Sequence, residues 1–337
     1  MPPKRDENPI IPKFEFWNDL PNEMRTECIK RMDFITRMRL RRTSKQDKLL
    51  VESAPKCHFD CVHVELDVEY NPSVICEKSD DSGFDFKQIL GSVDPVYIDK
   101  AYHLVIQILK FATTEMFDYS TKFATDADVS KFLAEISNFT PFHFKNIVLD
   151  CEKFEIIDFF LKNCNLLESI ELERCGDGFE TDKMMELVKL PAVINAEWVQ
   201  MSNLKASETP YQLITKWVEK DDLKLEKTLQ IRIGSEDLID FFAEKFGNRV
   251  VSKTDGILRI RTNDTAKHIL IKSASDTKSY YSFLVIPSDQ KESEYEKDDQ
   301  WATDLSQKDM AKIFGQFSLA MMNILPREYF DDIFPIF

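Results

Sequence analysis

The stretch FKNIVLDCEKFEIIDFFLKNCNLLESIELERC, residues 144–175, decides the fold class because it sets one helix pattern between two strand patterns. The apolar spacing F-x-x-I-x-L at 144–149 returns 23 residues later as L-x-x-I-x-L-x-x-C at 167–175. Between them, apolar residues of 154–161 fall at the three- and four-residue intervals of a helix that buries one side. Alternation of strand and helix predicts an α/β fold.

The 167–175 segment resembles the strand template of leucine-rich repeats, and 144–149 resembles its first half. Later units are looser, since the step from Val193 to the strand at Leu229 is 36 residues, outside the usual range of about 20–29. We therefore expect a degenerate leucine-rich-repeat-like β-α array over residues 56–286. An ordinary α/β domain is the alternative.

Apolar patterns on both sides of residues 144–175 extend the predicted α/β body and set its limits. The alternation in CVHVELDVEY predicts a half-buried strand at 61–70, and strand-like runs near the C-terminal end predict closure or capping of the array. Further predictions are helices at 98–113 and 129–136, closing strands at 257–260, 268–271 and 280–286, an acidic exposed loop at 287–300, and a helix and tail at 301–337.

On the N-terminal side, residues 14–55 predict a small all-α module of three helices, preceded by a flexible terminus at 1–13. Pro21 suits the first turn of the first helix, and Asp33 and Ser44 can cap the second and third. Three helices in about 35 residues cannot bury a large core. We expect the module to leave an apolar face available to a partner or to the next domain.

This module resembles the F-box, whose pattern is Leu-Pro-x-Glu, then an apolar pair, then an Arg/Leu-rich stretch that ends in Ser/Cys-Lys. The matching positions are Leu20, Pro21, Glu23, Ile29, Met32, Leu40, Ser44 and Lys45. Thr43 and Asp47 depart from the pattern, because the family prefers an apolar residue and an aromatic residue at these places. An unrelated helical hairpin that begins with Leu-Pro is the alternative.

The resemblance implies docking on the Skp-type adaptor of cullin-RING ubiquitin ligases, with the rest of the chain left to hold a protein substrate. The order of an F-box followed by strands and helices also resembles the nematode-type F-box families with an F-box-associated C-terminal region. The adaptor-binding residues that the resemblance implies are Leu20, Pro21, Met24, Ile29, Met32, Ile35 and Leu40.

Charge and hydropathy restrict the possible partners. The chain has a net charge of −15, with +4 in residues 1–50 and −19 in the rest, so we expect no nucleic-acid surface, which needs clustered cations. The basic run at 37–48 could serve nuclear import or RNA contact, although a solvated helix face with its connecting turn is the favoured interpretation. The sequence contains no apolar run of membrane length, and we expect no secretory leader. Seven cysteines then indicate reduced thiols in the cytoplasm or nucleus.

The polar residues offer few signatures of catalysis or metal binding. The most metal-like cluster is Cys57, His58, Cys61 and His63, but we expect no zinc, because the adjacent pair should project in different directions from the two strand residues. With only 8 glycines and no nucleophile, phosphate-loop or dinucleotide motif, we expect no cofactor and no enzymatic activity. The sequence thus favours a non-catalytic substrate receptor, with a leucine-rich-like interaction scaffold as the alternative.

Overall fold

The computed structural model describes residues 16–66, 73–78, 86–89, 95–121, 125–173, 179–204, 206–233, 237–273 and 280–298. The expected flexible terminus at 1–13 and the expected helix and tail at 301–337 lie outside these residues. The described chain divides into two compact units, of which the first ends at Cys57 and the second begins at His58. The boundary falls two residues beyond the end expected for the N-terminal module.

The first unit consists of three short helices, as the sequence predicts. They are α1 Asn22–Arg31, α2 Phe34–Leu40 and α3 Lys45–Ser53, after a 3-10 turn at Trp17–Asp19. Both expected caps are confirmed: the Asp33 carboxylate accepts from the Thr36 amide, and the Ser44 hydroxyl accepts from the Asp47 amide. Each cap satisfies an amide that the first turn of a helix leaves without an intrahelical partner.

A small apolar core and the buried guanidinium of Arg37 hold the three helices together. The buried apolar side chains are Ile29, Phe34, Ile35, Met38 and Val51. Arg37 is also buried, and its guanidinium donates to the carbonyl oxygens of Lys30, Met32 and Pro55. These bonds connect the end of α1, the turn before α2 and the segment after α3, so Arg37 ties the chain together where the apolar core is thin.

Among the residues that the structure describes, the second unit is built on one mixed sheet of twelve strands. Its strands are β1 Cys57–Leu66, β2 Ser73–Glu77, β3 Phe86–Ile89, β4 Ala112–Thr121, β5 Asn146–Cys151, β6 Ser169–Glu173, β7 Trp198–Leu204, β8 Thr228–Ile233, β9 Val250–Thr254, β10 Ile257–Arg261, β11 Lys267–Ser273 and β12 Tyr280–Pro287. The spatial order is β3-β2-β1-β4-β5-β6-β7-β8-β12-β11-β10-β9. The fold is therefore mixed α/β, as expected.

Strands β4 to β8 pair in parallel, and each connection between them carries at least one helix. The helices of the second unit are α4 Pro95–Phe111, α5 Asp126–Ile136, α6 Phe154–Asn163, α7 Thr181–Leu187, α8 Pro191–Asn195, α9 Glu208–Glu219 and α10 Leu238–Phe246. Register partners along the parallel strands are Met116, Asn146, Ser169, Trp198 and Thr228. The successive units therefore repeat at intervals of 30, 23, 29 and 30 residues.

The remaining strands frame the parallel region with antiparallel pairs. The three closing strands expected from the sequence are confirmed as β10, β11 and β12, and β12 joins the parallel region by pairing with β8. On the other flank, β1 pairs antiparallel with β2. The contacts His58–Thr113 and His63–Asp118 share one sequence separation of 55 residues, which indicates a parallel arrangement of β1 and β4.

Two expectations for local structure need correction. The apolar pattern at 98–113 predicted a helix to its end, but α4 stops at Phe111 and β4 begins at Ala112. The acidic segment at 287–300 is not simply an exposed loop, because Glu292–Asp298 forms a 3-10 helix whose Tyr295 is buried. Tyr295 packs with Leu270 and Ile286, so a single aromatic residue anchors an otherwise polar segment to the sheet.

Arg259 provides the polar part of that anchor. Its buried guanidinium donates to His268 Nδ1 at 2.7 Å and to the Tyr295 hydroxyl. It also donates to the carbonyl oxygens of residues 287, 288 and 290. The guanidinium thus bonds to His268 on β11 and to residues 287–295 at the end of β12 and beyond it. It therefore couples β10 to the chain after β12.

We expect Arg259→Leu to lower the free energy of unfolding of the second unit by about 2–4 kcal/mol, since each buried polar group left without a partner costs roughly 1–3 kcal/mol. Arg261→Leu is the matched control, because Arg261 is exposed and donates to the carbonyl oxygen of Asn248. Denaturant unfolding measures the free energy of unfolding of both variants. Hydrogen exchange of residues 287–298 measures the local stability of the anchored segment. Equal stability of the two variants would contradict the anchor.

Candidate functional site

The first unit exposes an apolar surface that its own core does not use. Met24 on α1 and Leu49 on α3 are 54% and 67% exposed, and Pro21 is exposed beside half-buried Leu20. Leu40, at the end of α2, is half-buried as well. Contiguous exposed apolar side chains mark docking surfaces, so these residues are the candidates for one on this unit.

The structure divides the expected adaptor-binding residues into two groups. Leu20, Pro21, Met24, Met32 and Leu40 are at least partly accessible. The remaining two, Ile29 and Ile35, are 0% and 8% exposed. They can shape the surface by supporting the helices, but their side chains are not presented to a partner in this structure. Leu49, which the sequence reasoning did not single out, is accessible.

The start of α3 is held by a hydrogen-bond cluster around Asp47. One carboxylate oxygen accepts from Trp17 Nε1 at 2.8 Å. The other accepts from the hydroxyls of Thr43 and Ser44, both at 2.7 Å. Burial raises the pKa of Asp47, but these bonds outweigh it, so the pKa lies below its usual value. Thr43 and Asp47, the two departures from the expected pattern, are thus bonded to each other.

The sheet of the second unit has one face packed against helices and one polar face. Phe117 on β4 packs against Phe160 of α6 with ring centroids 5.2 Å apart. Phe283 on β12 contacts Phe242 of α10 at the same distance. Side chains at alternate positions point the other way, because successive residues of a strand face opposite sides. We call the set on β1 to β8 opposite the helices the polar face.

Carboxylates outnumber cations on the described part of the polar face. Glu171 accepts from Gln200, its register partner, at 2.9 Å, and Arg232 lies over the ring of its partner Tyr280. The carboxylate-bearing residues of this face are buried Asp150 and the at least partly exposed Glu65, Glu77, Asp118, Glu171 and Glu173. This acidity agrees with the negative charge of the chain beyond residue 50 and favours basic partners.

The metal-like quartet is not brought together as one set. Cys61 Sγ lies 3.1 Å from His63 Nε2, whereas the ring of His58 contacts Thr113 at 3.2 Å. Within the part of the chain that the structure describes, the one group with metal-ligand character consists of Cys61, His63 and Glu77. The structure therefore separates the quartet that was expected not to bind zinc. It groups Cys61 and His63 with Glu77, which lies on the neighbouring strand β2.

Asp118 completes the surroundings of His63. Its Oδ2 lies 3.0 Å from His63 Nδ1, and Glu77 Oε2 lies 3.8 Å from Nε2. The hydrogen bonds with Asp118 and then Cys61 raise the pKa of His63 to about 10 against the effect of burial. The imidazole is thus fixed at both nitrogens by groups on three strands.

The sequence reasoning missed Glu77 and Asp118. Asp118 lies in ATTEMFDYST, where aromatic and β-branched residues alternate with polar ones, and this alternation is a strand signal that could have been found. Glu77 gives no local signal of its position. Its role depends on register, because it is the direct antiparallel partner of Cys61.

Two further polar features are structural. Lys227 is buried, donates to the Ala196 carbonyl oxygen and lies 4.8 Å from the ring of Trp217. Burial lowers its pKa to about 7. The six described cysteines form no disulfide with one another.

Comparison with known proteins identifies the first unit. Residues 17–59 match the family model of the F-box domain, and F-box domains bind Skp-type adaptors. No curated protein and no solved structure matches the chain. Among the described residues, no helix is long and apolar enough to cross a bilayer.

We expect Asp47→Ala to lower local stability at α3 by about 1–3 kcal/mol, because three donors lose a buried acceptor. Lys48→Ala, one residue away and exposed, is the control. Hydrogen exchange of residues 44–53 measures the change. Since the pKa of Asp47 is lowered in the folded state, its contribution should be complete above the pKa of an unfolded aspartate and should fade as pH falls through the folded value. Indistinguishable exchange in the two variants would refute this role.

Proposed function

We propose that this protein is the substrate-recognition subunit of a cullin-RING ubiquitin ligase of the Skp–cullin–F-box type. The observation that carries the proposal is the F-box match at residues 17–59, on a unit that presents Leu20, Pro21 and Met24 at its surface. The Skp-type adaptor, and through it the cullin, are the proposed partners of the first unit. A protein substrate, whose identity is unknown, is the proposed partner of the second unit.

The proposed mechanism is proximity and requires no catalytic residue on this chain. A receptor that holds a substrate near a charged ubiquitin-conjugating enzyme raises the effective concentration of the substrate's lysines. F-box proteins are generally non-catalytic receptors of this kind. We accordingly propose a non-enzymatic role, without a cofactor, in the cytoplasm or nucleus.

For the body we propose a degenerate leucine-rich-like array that holds substrate on its polar face. The parallel strands with helical returns support this proposal, as do the intervals of 23 and 29 residues from β5 to β6 and from β6 to β7. The acidic side chains of the polar face favour a basic substrate segment. The layout of an F-box followed by such a body supports a nematode-type F-box family with an associated C-terminal region.

The alternative is a leucine-rich-like interaction scaffold without a ligase role, in which the first unit merely caps the array. Terminal units of solenoids need such caps, so this function has a physical reason behind it. Exposed Met24 and Leu49 favour the receptor, since a cap should present a polar outer surface. Adaptor binding separates the two functions.

We expect Leu20→Ala combined with Pro21→Ala to weaken adaptor binding at least a hundredfold. Truncation of an apolar side chain buried in an interface costs about 2–5 kcal/mol by analogy with core deletions, and central contacts dominate affinity. Leu225→Ala, at a partly exposed leucine of the second unit, is the control and should leave affinity unchanged. Titration of purified chain with purified adaptor measures both.

Circular dichroism of each variant checks that the fold persists. If the double variant still co-purifies with adaptor and cullin, or if the wild-type chain never does, the receptor proposal fails and the scaffold takes its place.

We also expect Glu171→Lys combined with Glu173→Lys to abolish the binding of basic substrates. Charge reversal on the polar face would repel a basic segment. Glu155→Lys with Glu186→Lys makes the same charge change at exposed positions of α6 and α7. Proximity labelling by the full chain, compared among wild type and both variants, measures the set of neighbours. Identical sets of basic proteins in all three would argue against this face.

A further inference from the structure

We propose that Cys61, His63 and Glu77 bind one zinc ion on the polar face, with Asp118 orienting the imidazole. This inference goes beyond the proposed ligase role and does not depend on it. It concerns a triad that the sequence pattern did not reveal, because one ligand comes from a neighbouring strand.

The register of the sheet puts the three ligands side by side. Cys61 and His63 are two residues apart on β1, so both side chains project from the same face. Glu77 on β2 is the direct cross-strand partner of Cys61, which places it on that face as well. No loop is needed to assemble the site, and the positions of the ligands are therefore as well fixed as the pairing of the two strands.

The ligand atoms are already close to the separations that zinc requires. Tetrahedral zinc, with bonds of about 2.3 Å to sulfur and about 2.0–2.2 Å to nitrogen or oxygen, holds ligand atoms roughly 3.3–3.6 Å apart. Cys61 Sγ and His63 Nε2 are 3.1 Å apart, and Nε2 and Glu77 Oε2 are 3.8 Å apart. All ligand atoms lie within 4.8 Å of one another. Glu77 is half exposed and can rotate to close the remaining gap.

Asp118 supplies the second observation that points to a metal. Histidines that bind zinc through one ring nitrogen commonly donate from the other to a carboxylate, which fixes the tautomer and the ring orientation. Here the carboxylate of Asp118 accepts from His63 Nδ1 at 3.0 Å, which leaves Nε2 directed at Cys61 and Glu77. Zinc bound at Nε2 displaces the proton from that nitrogen, because a metal-binding imidazole must be neutral. The hydrogen bond to Asp118 keeps the remaining proton on Nδ1.

The donor set determines the class of metal. One thiolate, one imidazole and one carboxylate suit zinc and related transition metals, whereas Mg²⁺ and Ca²⁺ prefer oxygen ligands alone. Cys61 is buried, while His63 and Glu77 are partly exposed, so the site opens toward solvent on the carboxylate side. Three protein ligands leave a fourth position for water or for a donor from a bound molecule.

The test uses the full chain stripped with a chelator and dialysed against buffered Zn²⁺, followed by elemental analysis. We expect one zinc per chain. Co²⁺ in its place should give a thiolate-to-cobalt absorption band. Cys61→Ser should abolish that band, and Glu77→Gln and Asp118→Asn should each weaken zinc affinity about 10–100-fold.

Cys57→Ser combined with His58→Gln is the matched control and should retain full affinity, because neither residue belongs to the triad. Glu77→Gln keeps the test decisive even if Cys61→Ser unfolds the chain, since Glu77 is half exposed. Zinc well below one per chain, or binding that survives Glu77→Gln unchanged, would overturn the site. A thiol–imidazole hydrogen bond without metal would then remain. Adaptor binding is measured separately, so failure here leaves the ligase proposal intact.

Discussion

A sheet covered by helices on one side must bury every second side chain and present the others opposite, and this constraint organises the second unit. Phe117, Ile147, Ile170, Val199 and Leu229 are successive register partners across five strands, and all are fully buried. A slip of one residue in any of these strands would exchange its buried and polar sets. The apolar core therefore fixes the register, and the register fixes which polar side chains meet.

The first unit solves a different physical problem, because about 40 residues cannot bury enough apolar surface for ample stability. Polar groups compensate for this shortage. Arg37 joins three carbonyl oxygens, and Asp47 joins Trp17, Thr43 and Ser44. An apolar residue and an aromatic residue at positions 43 and 47 would contribute packing there. In this chain the Thr43 hydroxyl donates a hydrogen bond to the Asp47 carboxylate. The two departures from the F-box pattern are therefore coupled, because each polar residue is the other's partner.

Local signals made much of the fold predictable. Caps at Asp33 and Ser44 and the strand patterns at 144–149 and 167–172 depend on neighbouring residues, and they are found as expected. Strand β4 was missed because its apolar residues continue those of α4 without a glycine or proline between them. The triad and the contact of Asp118 with His63 join residues up to 55 positions apart, and sequence spacing carries no information about such register.

The two units differ in the kind of recognition that their surfaces permit. Apolar side chains such as Met24 and Leu49 yield affinity on burial, and they suit a partner whose shape is constant. The carboxylates of the polar face, such as Glu171 and Glu173, yield little affinity individually, but they steer oppositely charged partners and reject like-charged ones. The proposed receptor role, with one invariant adaptor and a selected substrate, needs both kinds of surface. Because separate units carry them, either surface can change in sequence without disturbing the packing beneath the other.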